Sequence, residues 1–431
     1  VLLEAATLLS GAGNGVAMVV LPWIALERTG SAASAGLLAA ATALPLLASS
    51  LFSGTVVDTL GRRRAAIGAD LLSCASVASI PLLDRVLDLN LGWLIALAVI
   101  GAVFDPAGVT ARETMLPGAA ERAQLPLERV NGIHEAIWGS AYVLGPGLGG
   151  VLIAWVGAVD ALWITAVGFA ASATMVALLR VPNDATRISE GSEGMWHDTK
   201  QGLAFVRRDP LLLGIAVIAA ALVSVYMPIE GVLLPVHFEG LDQPGRLGAI
   251  VMAMSLGGIA GALAYSAWGF RLRRSFVFRG ALIAATLFVL VLALLPPFPV
   301  MVVASLIIGF SYGPVGPIVN LAMQARTPEV MRGRVMGIIT STEYAAGPLG
   351  YLAVGAATAR FGVEPTFLAV AVVVLSIALL SLAVRSLREL DDLVAPGGEP
   401  SGVLDALDEA TAGALPLVQP PRDPDHARHR T

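Results

Sequence analysis

With one cysteine in 431 residues, Cys74, the chain has no partner for an intramolecular disulfide and no sulfur cluster for a metal. The five histidines (134, 197, 237, 426 and 429) show no ligand spacing, so neither a metal site nor a cofactor is expected. Charge is scarce: 14% of residues are charged against 56% hydrophobic, which excludes a water-soluble protein with a solvated surface. Lys200 is the one lysine among 27 basic residues, a bias that points to a GC-rich coding source more than to a function. No stretch reads G-x-x-x-x-G-K-S/T, which argues against a nucleotide-driven pump. Nothing suggests nucleic-acid binding or enzymatic chemistry. Apolar sequence begins at Val1 without a charged leader, and the first span is expected to lack a few residues on its inner side.

Long apolar runs make up most of the chain. A membrane span needs about 20 apolar residues, and on that measure there are twelve, at 2–26, 33–57, 65–83, 91–112, 130–155, 159–180, 211–238, 245–269, 276–296, 299–323, 334–358 and 364–385. The chain therefore reads as an all-α polytopic membrane protein of twelve transmembrane helices. With the triple-arginine turn at Arg62–Arg64 placed inside, 23 of the 27 basic residues fall on the inner side. Only Arg28, Arg85, Arg246 and Arg360 remain outside, and the positive-inside rule then puts both termini in the cytoplasm.

The apolar pattern is interrupted twice. Residues 181–209 turn polar (NDATRISEGSEG) and continue as MWHDTKQGLAFVRRD, a linker expected to end in an amphipathic helix on the membrane surface. It separates a six-helix bundle at 1–180 from a second at 210–388. The tail, 389–431, is rich in Pro, Gly and charge and is expected to be disordered. The two bundles repeat each other. Arg129-Val-Asn-Gly-Ile133 matches Arg334-Val-Met-Gly-Ile338, and Tyr142-Val-Leu-Gly-Pro146 matches Tyr344-Ala-Ala-Gly-Pro348. Phe104-Asp-Pro106 matches Tyr312-Gly-Pro314, and Leu21-Pro22 matches Leu234-Pro235. Four matches in the same order indicate two parallel, pseudo-symmetric halves, the plan of transporters that rock around a midplane site.

Two stretches carry motifs. Between Leu51 and Ala66, Gly54, Asp58, Gly61, Arg62 and Arg63 form G-x-x-x-D-x-x-G-R-R. An acid at the C-terminal end of a helix meets the negative pole of its dipole and needs a cation, for which Arg62 and Arg63 are nearest. A simple topology anchor would explain the arginines but not the glycines or the acid. Further on, Ala141, Gly145 and Gly149 recur at helical spacing with Pro146 and Gly150 beside them, a stripe that lets a neighbouring helix approach closely. The first motif resembles the loop between the second and third helices of the major facilitator superfamily. The second, with Gly132 ahead of it, resembles the antiporter motif of drug and proton exchangers in that superfamily, with Ala141 where the family usually has Gly. By that resemblance, Asp58 and its arginines would pair with the start of the eleventh helix when the inner gate is shut. The corresponding loop of the second half puts Trp268 at the Asp58 position and keeps Arg273 and Arg274.

An ionisable group inside a bilayer is costly and is read as functional by default. Glu343 lies about 14 Å past Arg334 at 1.5 Å per residue, Asp105 about 21 Å past Leu91, and Glu135 about 9 Å past Arg129. These three are candidates for proton coupling; the same positions also suit structural hydrogen bonds or the holding of an arginine. Glu230 is placed at the wet outer end of the seventh span. His134 is expected to be a hydrogen-bonded packing residue. Candidates for a cavity wall are Asn14, Phe104, Tyr226, Met227, Met252, Phe310, Tyr312 and Asn320. No basic residue is placed at mid-depth to clamp a phosphate or polycarboxylate.

Along residues 1–388 the chain is similar to the drug/proton antiporter branch of the superfamily, with macrolide- and tetracycline-type efflux pumps and the enterobactin exporter as relatives. The resemblance implies proton-driven export of a hydrophobic or amphipathic small molecule by alternating access, from a monomer in the bacterial inner membrane. A dedicated siderophore or metabolite exporter, a lipid-moving relative and a non-transporting membrane sensor are the alternatives.

Overall fold

The structure, a computed structural model, describes residues 1–87, 89–125, 127–179, 195–269, 272–328 and 331–393. The first half comprises α1 (Leu2–Thr29), α2 (Ala32–Leu60), α3 (Arg62–Val86), α4 (Leu91–Val103), α5 (Asp105–Thr114), α6 (Leu116–Ala123), α7 (Leu127–Val156) and α8 (Ala158–Leu178). Then α9 (Met195–Arg208) leads to the second half: α10 (Pro210–Pro228), a π turn (Ile229–Leu233), α11 (Leu234–Glu239), α12 (Pro244–Trp268), α13 (Arg274–Ala293), α14 (Phe298–Tyr312), α15 (Val315–Arg326), α16 (Arg332–Phe361) and α17 (Val363–Ser381). A 3-10 turn, Arg385–Leu390, follows. Among the described residues, ten helical runs are long and apolar enough to cross a membrane. With α2 (29 residues) and α16 (30 residues) they make twelve spans.

Most spans are apolar all round, as expected where lipid rather than water surrounds a helix bundle. Three are broken, each at a proline. The fourth is α4–α5–α6, interrupted at Phe104 before Pro106 and at Met115 before Pro117; the tenth is α14–α15, interrupted before Pro314. Proline lacks an N–H and crowds the carbonyl four residues back, so the helical ladder cannot continue unbroken through it. The seventh span loosens into its π turn directly after Pro228. Glycines with positive φ make the equivalent tight turns of the two halves: Gly157 (φ 85) between α7 and α8, and Gly362 (φ 87) between α16 and α17. An L side chain would be strained at either position.

Within the first half α1 packs on α7 and α8, and α3 on α8; within the second, α12 packs on α14, and α10 on α16. The halves meet where α2 crosses α16 and where α7 crosses α12. Both crossings hold close approaches at the end opposite Arg62–Arg64. A Cβ at Gly36 would lie 2.5 Å from the Tyr351 carbonyl oxygen, and one at Gly150 would lie 2.6 Å from the Pro244 carbonyl oxygen. Neither backbone pair could sit this close with a side chain between them.

The expected amphipathic linker helix is α9. Val206 is buried on it in a cluster with Leu212, Ala216, Met323, Val335 and Ile339, while Leu203 is exposed. Its apolar face therefore docks partly on the second half. Residues 180–194 and the expected tail from 394 onward lie outside the described residues.

Candidate functional site

Polar side chains from α1, α3, α5 and α8 converge inside the first half. Arg112 Nη1 donates to both carboxylate oxygens of Asp70, at 3.0 and 3.2 Å, and Nη2 donates to Ser10 Oγ at 3.0 Å. Ser10 in turn donates to Asp70 Oδ1 at 2.9 Å. Ser172 donates to Asp70 Oδ2 at 2.7 Å, with the Ala6 carbonyl 2.9 Å away as an alternative acceptor. All four residues are at most 2% exposed. Removing two charges from water costs several kcal/mol per ion and is offset only when the geometry and the remaining hydrogen bonds are good. Here Nη1 reaches both carboxylate oxygens and hydroxyls fill further sites on Asp70, while within the cluster Arg112 Nε is left without a partner.

A second polar cluster lies beside the first. The break in the fourth span makes Asp105 the first residue of α5, where the helix dipole favours a negative charge. Asn14 Nδ2 donates to both of its oxygens, at 2.8 and 2.9 Å. Asn14 follows Ser10 by four residues on α1, and Arg112 follows Asp105 by seven on α5, so the same two helix faces serve both clusters. Arg112 and Asp70 act electrostatically on Asp105.

The second half is built differently at the matching place. Its tenth span breaks at Tyr312-Gly313-Pro314, with glycine where the first half has Asp105. Tyr312 stacks on Tyr226 with ring centroids 6.4 Å apart and planes 6° from parallel. Tyr226 hydrogen-bonds Glu230. Glu230 is thus corrected from a wet position at the end of the span to a partly buried place in the π turn, where the loosened helix aims it at Tyr226. Met227 Sδ accepts from the Tyr351 hydroxyl at 3.6 Å. Met252 fills the space left by Gly147 in the α7–α12 seam. Phe104, Phe310 and Asn320 are exposed side chains of the fourth and tenth spans.

At the arginine turn, Gly61 takes φ 83 and lets α2 double back into α3. Arg62 Nη1 donates to the Thr114 carbonyl at 3.1 Å; Arg63 Nε donates to the Val176 carbonyl at 3.4 Å, and Arg63 Nη2 to that of Ala177. These carbonyls end α5 and α8, so both cations sit at negative helix poles and hold three helices together. In the small-residue stretch of α7, Ala141, Gly145 and Gly149 face α1: a Cβ at Gly11 would lie 2.9 Å from that of Ala141, one at Gly145 2.8 Å from the Gly15 Cα, and one at Gly149 3.2 Å from the Val19 Cβ. Pro146 packs on Gly15, and Gly150 turns to α12, so one stretch joins a contact inside the first half to the seam between halves. His134 Nδ1 lies 3.2 Å from Glu4 Oε2, as expected for a hydrogen-bonded packing residue. The backbones of Gly54, Asp58, Gly132, Glu135 and Glu343 belong to α2, α7 and α16; their side chains lie outside the described residues.

Sequence reasoning missed Asp70 and Arg112. Asp70 had a signal: it lies eight residues past Arg62 in an apolar run, about 12 Å along the helix, which is the criterion that selected Asp105. Arg112 was assigned to the inner side because the fourth span was ended there. The structure continues that span to Ala123, and a basic residue does stand within the bundle.

The model of the Major Facilitator Superfamily matches residues 3–351 and 231–407. The multidrug efflux pump Tap of Mycolicibacterium fortuitum is 41% identical over 390 residues, covering 90% of this chain and 95% of that one. Macrolide efflux protein A of Streptococcus pyogenes is 22% identical and covers 85% of this chain and 90% of its own length. Among solved structures, the nucleoside transporter NupG superposes with a TM-score of 0.72 at 12% identity, over 89% of this chain and 98% of that one. A bacterial homologue of the human lysosomal transporter Spinster, in an inward-facing and unoccupied conformation, gives 0.68 at 14% identity, over 92% and 98%. Twelve spans in two repeated halves, the broken fourth and tenth spans and these matches together make the chain a multi-pass membrane protein of the Major Facilitator Superfamily.

Proposed function

We propose that the protein is a secondary transporter that exports hydrophobic or amphipathic compounds from a bacterial cell in exchange for protons, by alternating access between its halves. The observation that carries this reading is Asp105, a carboxylate inside the bundle at the N-terminus of α5, held by Asn14 beside the buried Asp70–Arg112 pair. The relatives named for multidrug and macrolide efflux support the class of cargo. The arginine-rich end faces the cytoplasm in this reading, with both termini, and the seam at Gly36 and Gly150 is the outer gate. Asp58 with Arg62 and Arg63 serves the inner gate.

As a carboxylate, Asp105 accepts twice from Asn14. Protonation turns one of its oxygens into a donor, which removes an acceptor from Asn14 and changes how α1 meets α5. A proton taken from outside and released inside is thereby tied to a contact between helices that line the cavity. Glu343 and Glu135 are the further coupling candidates, and the stacked Tyr226 and Tyr312 with Met227 supply an adaptable apolar wall. Efflux of a dye or antibiotic from vesicles, with and without a pH gradient, tests the reading for wild type, Asp105→Asn and Glu343→Gln. Loss of gradient-driven transport is expected in at least one variant; full transport in both overturns the assignment.

A further inference from the structure

Away from the seam between the halves, α13, the end of α17 and the 3-10 turn Arg385–Leu390 enclose an open groove of about 830 Å³. Its apolar side is made by Leu272, Phe276 and Leu382, all exposed, Phe276 to 70%. Its charged side is made by Arg273, Arg279 and Arg388. Arg279 lies about 7.5 Å further along α13 than Arg274. Its Nη2 donates to the Val384 carbonyl at 2.8 Å, while its buried Nε has no partner. Among the described residues one carboxylate lines the groove, Asp391, and Ser275 engages both its oxygens, through the backbone N–H at 2.9 Å and the hydroxyl at 2.6 Å. Three arginines against one acid leave the groove doubly positive.

We propose that this groove binds an anionic phospholipid of the leaflet on the arginine-rich side, with the phosphodiester among Arg273, Arg279 and Arg388 and the start of an acyl chain along Leu272, Phe276 and Leu382. Positive charge alone would suit any soluble anion. The exposed apolar wall beside it belongs to membrane-spanning helices and meets hydrocarbon, so the ligand that suits both sides at once is anionic at one end and hydrocarbon at the other, which is the chemistry of basic pockets that bind lipid headgroups. The same C-terminal segment is tied to the start of α10 by Ser386, which donates to the Pro210 carbonyl at 2.9 Å, and to α15 through the Arg326–Glu389 ion pair. A lipid bridging α13 to this segment braces the arginine-rich end of the second half. The cytoplasmic identity of that leaflet rests on the orientation proposed above; the binding does not.

The test uses the full chain in phosphatidylcholine nanodiscs, titrated with phosphatidylglycerol or with inorganic phosphate, and reads bound lipid by native mass spectrometry and the thermal unfolding midpoint. Phosphatidylglycerol is expected to bind and raise the midpoint, and inorganic phosphate to do neither. At about fivefold per arginine near an anionic headgroup, Arg273→Gln with Arg388→Gln weakens binding about 25-fold. Both are exposed side chains, so helicity by circular dichroism should be unchanged. Phe276→Ser weakens phosphatidylglycerol binding, and Arg246→Gln, at the opposite end, leaves it unaltered. Wild-type affinity in the double variant, or equal stabilisation by inorganic phosphate, overturns the proposal. No gradient or cargo enters this readout, so a failure of the transport assays leaves it intact, and the reverse.

Discussion

The two halves share a plan and differ in what fills it. At the centre of the first, Ser10, Asp70, Arg112 and Ser172 bind one another in full burial. The repeat carries these positions to Val223, Gly280, Asn320 and Ile377, by the offsets that align Pro22 with Pro235, the two arginine turns, Phe104 with Tyr312, and Gly157 with Gly362. Not one of the four is ionisable. Asp105 and Asn14 correspond likewise to Gly313 and Met227. The second half replaces the charges with close backbone packing: a Cβ at Gly313 would lie 2.5 Å from the Gly258 carbonyl oxygen of α12. Duplication preserved the break at Pro106 and Pro314 in the fourth and tenth spans and let the chemistry around it diverge. The buried ion pair thus belongs to the first half, and the stacked tyrosines with Glu230 to the second.

Three experiments bear on that contrast. The largest effect is expected from Asp70→Leu, which leaves Arg112 buried without its counter-charge and should cost about 3–5 kcal/mol of stability. Asp70→Leu combined with Arg112→Met should recover most of the loss, because the pair's desolvation cost disappears with it. The counterpart substitution Asn320→Leu, at an exposed site, should change stability by less than about 0.5 kcal/mol. Unfolding in detergent followed by fluorescence measures all three; a mild Asp70→Leu would show that the pair is not the electrostatic keystone of its half.

An intermediate effect is expected from Asn14→Ala, which removes both hydrogen bonds to Asp105, an interaction with a charged group worth about 1.5–3 kcal/mol. Gradient-driven transport should fall roughly tenfold, while Met227→Leu, which keeps an apolar side chain of similar size, stays within about twofold. Equal responses would erase the asymmetry between the halves. The smallest effect concerns the arginine-rich ends. In the first half, Arg62 and Arg63 bind backbone carbonyls. In the second, α13 is capped by Asp391. Partial burial alone would raise its carboxyl, but hydrogen bonds from Ser275 and the charges of Arg273 and Arg274 outweigh burial and hold it below the ordinary 3.8. A depressed folded-state value contributes stability that is fully present above the ordinary carboxylate range and is lost as pH falls through the lowered value. Acidification below that range should loosen the C-terminal segment from α13 in the wild type. Asp391→Asn should lack the acid-dependent step; hydrogen exchange at Leu387–Leu393 reads it, and an unchanged step in the variant assigns it elsewhere.

Much of the fold was legible because its determinants are local. Span length and the turn before Arg62 follow from residues within a few positions of each feature; the breaks before Pro106 and Pro314 and the turns at Gly157 and Gly362 are set as locally, yet the sequence reading ran the fourth and tenth spans straight through. The small-residue stripe was legible because Ala141, Gly145 and Gly149 share a face at any helical geometry. Its partners were not. Nothing in the stretch says that Gly145 meets Gly15 while Gly150 meets Gly248, two neighbours on different helices. The extent of the fourth span was misjudged because Arg112 looks like a terminal cation until Asp70 is placed opposite it.

By itself, then, the sequence determined a twelve-span membrane protein of two repeated halves and offered Asp105, Glu135 and Glu343 as candidate acids. Tertiary structure alone decided that Arg112 belongs to Asp70, 42 residues away, and that Asn14 holds Asp105, 91 residues away. The physical reason is the solvent. A helix in water carries an apolar stripe that shows which face turns inward, whereas a helix in lipid is apolar all round, and only packing against its neighbours fixes its rotation and hence its polar partners.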